Sequence, residues 1–183
     1  MNKKQKTPIL GFAAYSGTGK TTLLVKLLPL LTARNIRVAM IKHAHHTFEI
    51  DHEGKDSYKL RKAGAQQLLI GSEKRWALLV ENNLQKQYKL DDFIDQLDHD
   101  SVDLILVEGF KPEQIPKIEL VRPALCKSLF YPGDKSVIAI ATDAELPEKT
   151  ELPVLDINNP GQIADFIINQ FLPEYNLSVD TGT

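Results

Sequence analysis

The chain has a single cysteine, Cys126. An internal disulfide is therefore excluded, and a reducing compartment, hence a cytoplasmic location, is expected. An excess of one charge sign is also missing: 22 Lys and Arg stand against 24 Asp and Glu, a formal net charge of -2. A general nucleic-acid binder is usually strongly basic, so no nucleic-acid partner is expected, while a local basic site for phosphates stays open. No apolar run approaches the roughly 20 residues of a membrane-spanning helix, so no membrane partner is expected. The N-terminal lysines before Ile9-Leu10-Gly11-Phe12 imitate a secretory signal, yet the run is short and leads into Ser16-Gly17-Thr18-Gly19, not a cleavage site. It reads as a buried first strand behind a basic leader. The 183 residues contain no Pro/Gly/Ser-rich linker and no internal repeat. A single domain over 1–172 with a flexible tail over 173–183 is expected.

What is present is an alternation of short apolar runs with helical patterns, the signature of an α/β fold with a mainly parallel sheet. Strands are expected at 8–14, 36–41, 102–107, 137–141 and 154–155. The segment 117–121 alternates and reads as an edge strand. Helices are expected over about 20–34, with Pro29 kinking or weakening the first and Asn35 stopping it, and over 55–63, 90–97 and 161–171. The runs 67–71 and 76–81, joined by Ser72-Glu73-Lys74-Arg75, have hairpin spacing and predict an antiparallel element at the sheet edge, with Trp76 packed in it. The stretch 122–135 has little pattern and reads as a mobile loop.

The strongest local signal is Ala14-Tyr15-Ser16-Gly17-Thr18-Gly19-Lys20-Thr21-Thr22, between a strand and an amphipathic helix. A phosphate chain needs many donors in a small concave space. Glycines let backbone N–H groups converge there, and a helix N-terminus adds a positive dipole end. Lys20 is expected on the β- and γ-phosphates and the Thr21 hydroxyl on a Mg²⁺ ion, with Ser16, Gly17, Thr18, Gly19 and Thr22 completing the nucleotide contacts. Ala14 stands where the strict phosphate-loop pattern has its first glycine.

The run Asp103-Leu104-Ile105-Leu106-Val107-Glu108-Gly109 puts an acid at each end of a strand. At about 3.3 Å per residue the two lie roughly 16 Å apart, so only one can serve a site at the C-terminal sheet edge. Glu108 is expected near Mg²⁺ and the γ-phosphate, as a catalytic group with Lys20, or else as a solvated strand end. Asp103 reads as a cap on the strand entry, and Gly109 as a turn close to the phosphates. Lys42-His43-Ala44-His45-His46 follows the second strand. It is open to several readings: a plain polar loop, a zinc site, or a site that binds an anionic second substrate or senses the γ-phosphate, with Lys42, His43 and His45 as the substrate contacts. Lys55, Ser57 and Arg61 join the substrate candidates, since Arg61 lies one helical turn beyond Ser57.

Taken in order, these pieces resemble the MobB family of molybdopterin-guanine dinucleotide biosynthesis proteins over nearly the whole chain. The resemblance is carried by Phe12 to Thr22, Ile41-Lys42-His43 with His45-His46, and Gly54-Lys55-Asp56-Ser57-Tyr58 with Leu60 to Ala65. Arg75-Trp76-Ala77-Leu78, Asp103 to Lys111, Ala141-Thr142-Asp143 and Leu155 to Asn158 complete it. It implies a three-layer phosphate-loop fold and a homodimer that binds GTP and Mg²⁺ and hydrolyses GTP weakly. It also implies an accessory role beside a MobA-type guanylyltransferase acting on molybdopterin. The Asn-Lys-x-Asp guanine reader of regulatory GTPases is missing, and Asp143 is either its substitute at the sheet edge or a turn aspartate. Two alternatives stay open. One is a small-molecule kinase, disfavoured because 122–135 offers only Arg122 for a lid; the other is a histidine-bearing metallochaperone GTPase.

Overall fold

A parallel strand buried on both faces needs a layer of cover on each side, and most of the chain is organised to supply it. The computed structural model describes residues 7–44, 48–82 and 88–175. They form two compact units, Met1–His43 with Leu90–Thr183, and Ala44–Lys89. The larger unit holds a six-stranded sheet in the order β2-β5-β1-β6-β7-β8. Its strands are β1 (Ile9–Ala13), β2 (Val38–Lys42), β5 (Leu104–Glu108), β6 (Lys117–Val121), β7 (Val137–Thr142) and β8 (Val154–Asp156), and every pairing is parallel.

Alternation within each strand sorts the core into two faces. Leu10, Phe12, Leu104, Leu106, Ile118 and Leu120 face helices α1 (Lys20–Thr32) and α4 (Pro160–Phe166), which contribute Leu23, Leu24, Leu27 and Leu31, and Ile163, Ala164 and Phe166. Ile105 and Val107 face the opposite way, against Leu90 and Ile94 of α3 (Leu90–Ile94). The expected layered α/β arrangement is present. Helix α1 runs through Pro29 to Thr32, because Pro29 is exposed and Val25, one turn back, is 64 % exposed, so a carbonyl freed by the missing N–H meets water. Asn35 ends the turn at φ 59°, and the Ile36 N–H donates to Leu31 O.

Two expectations are corrected here. Strand β6 is not at an edge: it lies between β1 and β7 and is buried at every position. Its alternation is real, but the polar face carrying Lys117 and Glu119 is covered by loops instead of water. Lys117 Nζ donates to Lys111 O, Glu113 O and Asp134 Oδ2 at 2.7–2.9 Å, and the Glu119 carboxylate accepts the N–H groups of Phe130 and Tyr131 at 2.8 Å. For the same reason 122–135 is an anchored segment. It opens with a 3₁₀ turn (Pro123–Leu125) and packs Leu129, Phe130 and Tyr131 on Val121, Val137 and Ile140. Gly11 makes room for this arrangement, since a Cβ there would lie 3.1 Å from Lys117 Cβ.

The smaller unit contains α2 (Asp56–Lys62) and an antiparallel pair, β3 (Gln67–Gly71) with β4 (Trp76–Val80). The hairpin forms as expected, but as a sheet of its own and not as an edge of the larger one. Trp76 is not packed in it. A two-stranded sheet buries little by itself, and Trp76 is 69 % exposed. Among the described residues, no helix is long and apolar enough to cross a membrane.

Candidate functional site

In open parallel sheets, ligands bind beyond the C-terminal ends of the strands, and there β1 passes through 14–19 into α1. Gly17 (φ +83°) and Gly19 (φ +96°) take left-handed conformations that side chains disfavour, so the sequence folds into a tight loop only with glycine at these two places. Gly19 is the helix N-cap, no side chain caps the first turn, and that turn contains no acid. The first amides of α1 and the dipole end they form thus suit an anion. Ser16, Thr21 and Thr22 are exposed. Thr18 is turned inward: it is 2 % exposed and its hydroxyl donates to Tyr15 O at 2.9 Å, which staples the loop.

Glu108 ends β5 at 9 % exposure, opposite Lys42 in the β2–β5 register and opposite Phe12 in the β1–β5 register. Lys42 Nζ donates to both Glu108 oxygens, at 3.0 and 3.1 Å, and Lys20 Nζ lies 3.6 Å from Oε1. A buried carboxylate next to Lys20 and the phosphate loop is what the strand-end acid leads one to expect; its engagement with Lys42 was not visible from sequence. Lys42, a substrate candidate, is therefore an ion-pair partner of Glu108. Gly109 has a role within the fold as well. At φ +102° a Cβ there would lie 2.9 Å from His43 Cβ, so glycine is needed for the approach of His43. The His43 N–H donates to Glu108 O at 2.8 Å, and its ring lies 4.8 Å from Phe110. His45 lies outside the described residues.

Asp103 pairs with Arg37 at the strand entry: its carboxylate accepts the Arg37 backbone N–H at 2.8 Å and guanidinium bonds at 2.7 and 3.0 Å. Those side-chain bonds hold Asp103 below the usual carboxylate range against the cost of burial. Asp143 follows β7 and is ion-paired with Arg122. The same guanidinium donates from Nε to Thr18 O in the phosphate loop at 2.9 Å, and to Asn158 Oδ1 at 3.2 Å. Arg122 therefore ties the phosphate loop to the ends of β7 and β8. The sequence offered no sign of this beyond an arginine directly after a strand.

The remaining candidates belong to the smaller unit. Lys55 is exposed at the N-cap of α2, and Ser57 lies in its first turn. Arg61 is bonded to Glu81 at 2.8 Å and ion-paired with Glu49, and its side chain is 12 % exposed. These bonds, that with Glu81 foremost, raise its pKa. Its guanidinium is thus held by two carboxylates of its own unit. Among the described residues, no group of three or more His, Cys, Asp or Glu side chains could hold a metal ion.

Comparison with known proteins points one way. Residues 9–143 match the family described as MobB, molybdopterin guanine dinucleotide synthesis protein B. The chain is 47 % identical over 169 residues to the molybdopterin-guanine dinucleotide biosynthesis adapter protein of Escherichia coli K12, covering 92 % of this chain and 95 % of that one. It is 48 % identical over 162 residues to the adapter protein of Haemophilus influenzae, covering 88 % of each. The crystal structure of Bacillus subtilis MobB superposes with a TM-score of 0.69 at 24 % identity, covering 89 % of this chain and 97 % of that one, which speaks to the fold.

Proposed function

Since the chain belongs to the MobB family, we propose that it is a cytoplasmic GTP-binding adapter. It would hydrolyse GTP slowly and assist the conversion of molybdopterin to molybdopterin-guanine dinucleotide, as a homodimer working with a MobA-type guanylyltransferase. One observation carries the nucleotide part of this reading. Lys20 opens α1 behind two left-handed glycines and faces the buried Glu108 across 3.6 Å at the C-terminal edge of a parallel sheet.

The residues also fit magnesium. Thr21 presents an exposed hydroxyl on the first turn of α1, and Glu108 offers a carboxylate beside Lys20. Both are hard oxygen donors of the kind Mg²⁺ takes together with phosphate oxygens and water. When bound, the ion would neutralise charge on the phosphate chain. Lys20 draws the terminal phosphates toward α1, and the loop amides from Ser16 to Thr22 position them. Asp143 and Asn158, both joined to Arg122, are the side chains we assign to the guanine edge. Lys42 and His43 flank Glu108 and Gly109 on the side from which molybdopterin, itself a phosphate ester, would approach; His45, Lys55, Ser57 and Arg61 remain its further candidate contacts. A kinase lid is disfavoured by the attachment of Arg122 to Thr18 O.

The test is calorimetry with GTP, GDP and ATP on the wild type and Lys20→Ala. Loss of a charge-assisted contact to the terminal phosphates is expected to weaken GTP about 100-fold and GDP much less. Equal losses would remove Lys20 from the γ-phosphate, and a clear preference for ATP would overturn the guanine assignment.

A further inference from the structure

Lys117 and Glu119 are each 2 % exposed in the middle of the sheet. Burying an ammonium and a carboxylate is unfavourable unless their hydrogen bonds are satisfied, and here all of them go to the two loops that flank β6, 109–116 and 122–136. Lys117 fixes the main chain of 111–113 and the Asp134 carboxylate, while Glu119 fixes the amides of Phe130 and Tyr131. The two fixed loops meet over the phosphate loop. Phe130 stacks on Tyr15 with ring centroids 4.9 Å apart and planes at 17°. The Lys111 ammonium lies over both rings, 4.6 Å from the Tyr15 centroid and 5.3 Å from that of Phe130.

Lys111 has no carboxylate partner among the described residues. Its pKa is lowered, first by burial and then by the charge of Lys20. Aromatic faces thus hold one cation close to another. With Lys42 paired to Glu108, the charges of Lys20, Lys42 and Lys111 exceed that of Glu108 by two. Such an excess, preorganised by buried scaffolding, is matched by a multiply charged anion.

We propose that Lys111 is a second phosphate-binding ammonium of this site, carried on the loop after Glu108 and oriented by Tyr15 and Phe130. It distinguishes a triphosphate from a diphosphate. This assignment rests on the nucleotide site proposed above. Lys111 contacts the phosphate chain directly, whereas Tyr15 and Phe130 position it, and Lys117 and Glu119 position the loops that carry it.

The experiment is calorimetry on the full chain with GTP, GDP and inorganic tripolyphosphate, each with magnesium, for the wild type, Lys111→Met and Lys111→Arg. Thermal midpoints are recorded without ligand. Lys111→Met is expected to weaken GTP and tripolyphosphate about tenfold and GDP no more than about twofold, with Lys111→Arg restoring most of the loss. An unchanged ratio of GTP to GDP affinity in Lys111→Met would overturn the proposal, and a lowered midpoint alongside it would assign Lys111 to packing on the two rings. If the wild type binds neither GTP nor tripolyphosphate and Lys20→Ala changes nothing, the nucleotide site itself falls. That result differs from a wild type and a Lys111→Met that discriminate equally well.

Discussion

The two units contain equally apolar strands and treat them in opposite ways. In the larger unit β5 is buried at all five positions, and Leu104, Ile105 and Leu106 are fully buried. In the smaller unit β4 reads Trp-Ala-Leu-Leu-Val and β3 carries Leu68, Leu69 and Ile70, yet Leu69 is 64 % and Trp76 69 % exposed. Parallel neighbours require long crossovers, and each crossover brings a helix or a loop that covers a face. A hairpin is closed by its own short turn, which covers nothing. Apolar sequence therefore reports a strand, and the connection after it decides burial. Charge follows the same division. Lys117 is buried under loops in the larger unit, whereas Arg61 is held by carboxylates whose own side chains are 42 and 51 % exposed.

The largest expected effect lies at that buried ammonium. Lys117→Met keeps the unbranched apolar stem, one atom shorter, but leaves Asp134 Oδ2 and two carbonyls without their donor. Removing one partner of a buried pair costs about 3–5 kcal/mol, and urea unfolding followed by far-UV circular dichroism should show a loss of that order. Trp76 is the only tryptophan and belongs to the smaller unit, so its fluorescence should report a much smaller shift. Coincident shifts of equal size would mean that the two units unfold as one.

A matched pair of leucines gives the next largest effect. Leu106→Ala in β5 empties a fully buried site and is expected to cost about 2–5 kcal/mol. Leu69→Ala in β3 removes a mostly exposed side chain and should cost under about 1 kcal/mol. Equal costs in chemical denaturation would show that the hairpin is covered in solution. Sedimentation at several protein concentrations would then identify a second copy of the chain as the cover.

Much of this architecture could be read from the sequence because local patterns dictated it. Gly17 and Gly19 fix the phosphate loop and Asn35 ends α1, each through a left-handed backbone conformation open to few residue types, and the four-residue spacing of Ser72 to Arg75 sets the hairpin. Strand order was not legible, and neither were contacts that depend on it. The 117–121 alternation looks the same whether water or a loop covers its polar face, so β6 reads as an edge until the loops are seen. The Lys42–Glu108 pair exists because β2 lies beside β5, and the Arg122 tie because β6 ends beside the phosphate loop. Both join residues distant in sequence that no local spacing connects. The approach of His43 to Gly109 arises in the same way, from β2 lying beside β5.

The smallest expected effect concerns acid, and it tests whether the surface ion pairs of the larger unit contribute to its stability at all. Arg37 holds the Asp103 carboxyl below the ordinary carboxylate pKa, chiefly through its side-chain hydrogen bonds. A depressed folded-state pKa means that the unfolded chain takes up the proton more readily, so the stabilisation is complete above the unfolded value, about pH 4, and is lost as the pH falls through the lower folded value. Glu119 works with the opposite sign. Burial raises its pKa against the pull of two backbone amides, so its ionised form opposes folding increasingly as the pH rises through the raised value. Asp103→Asn should therefore be less stable than the wild type at pH 7, and the gap should start to close as the pH falls below about 4 and go on closing through the lower folded value. The exchange rate of the Arg37 amide, bonded to Asp103 Oδ2 at 2.8 Å, is the local readout. If the gap in stability stays constant from pH 7 down through the acid unfolding range, the Arg37–Asp103 pair contributes by shape alone, and the charges at the β5 entry are as dispensable as those of an exposed surface pair.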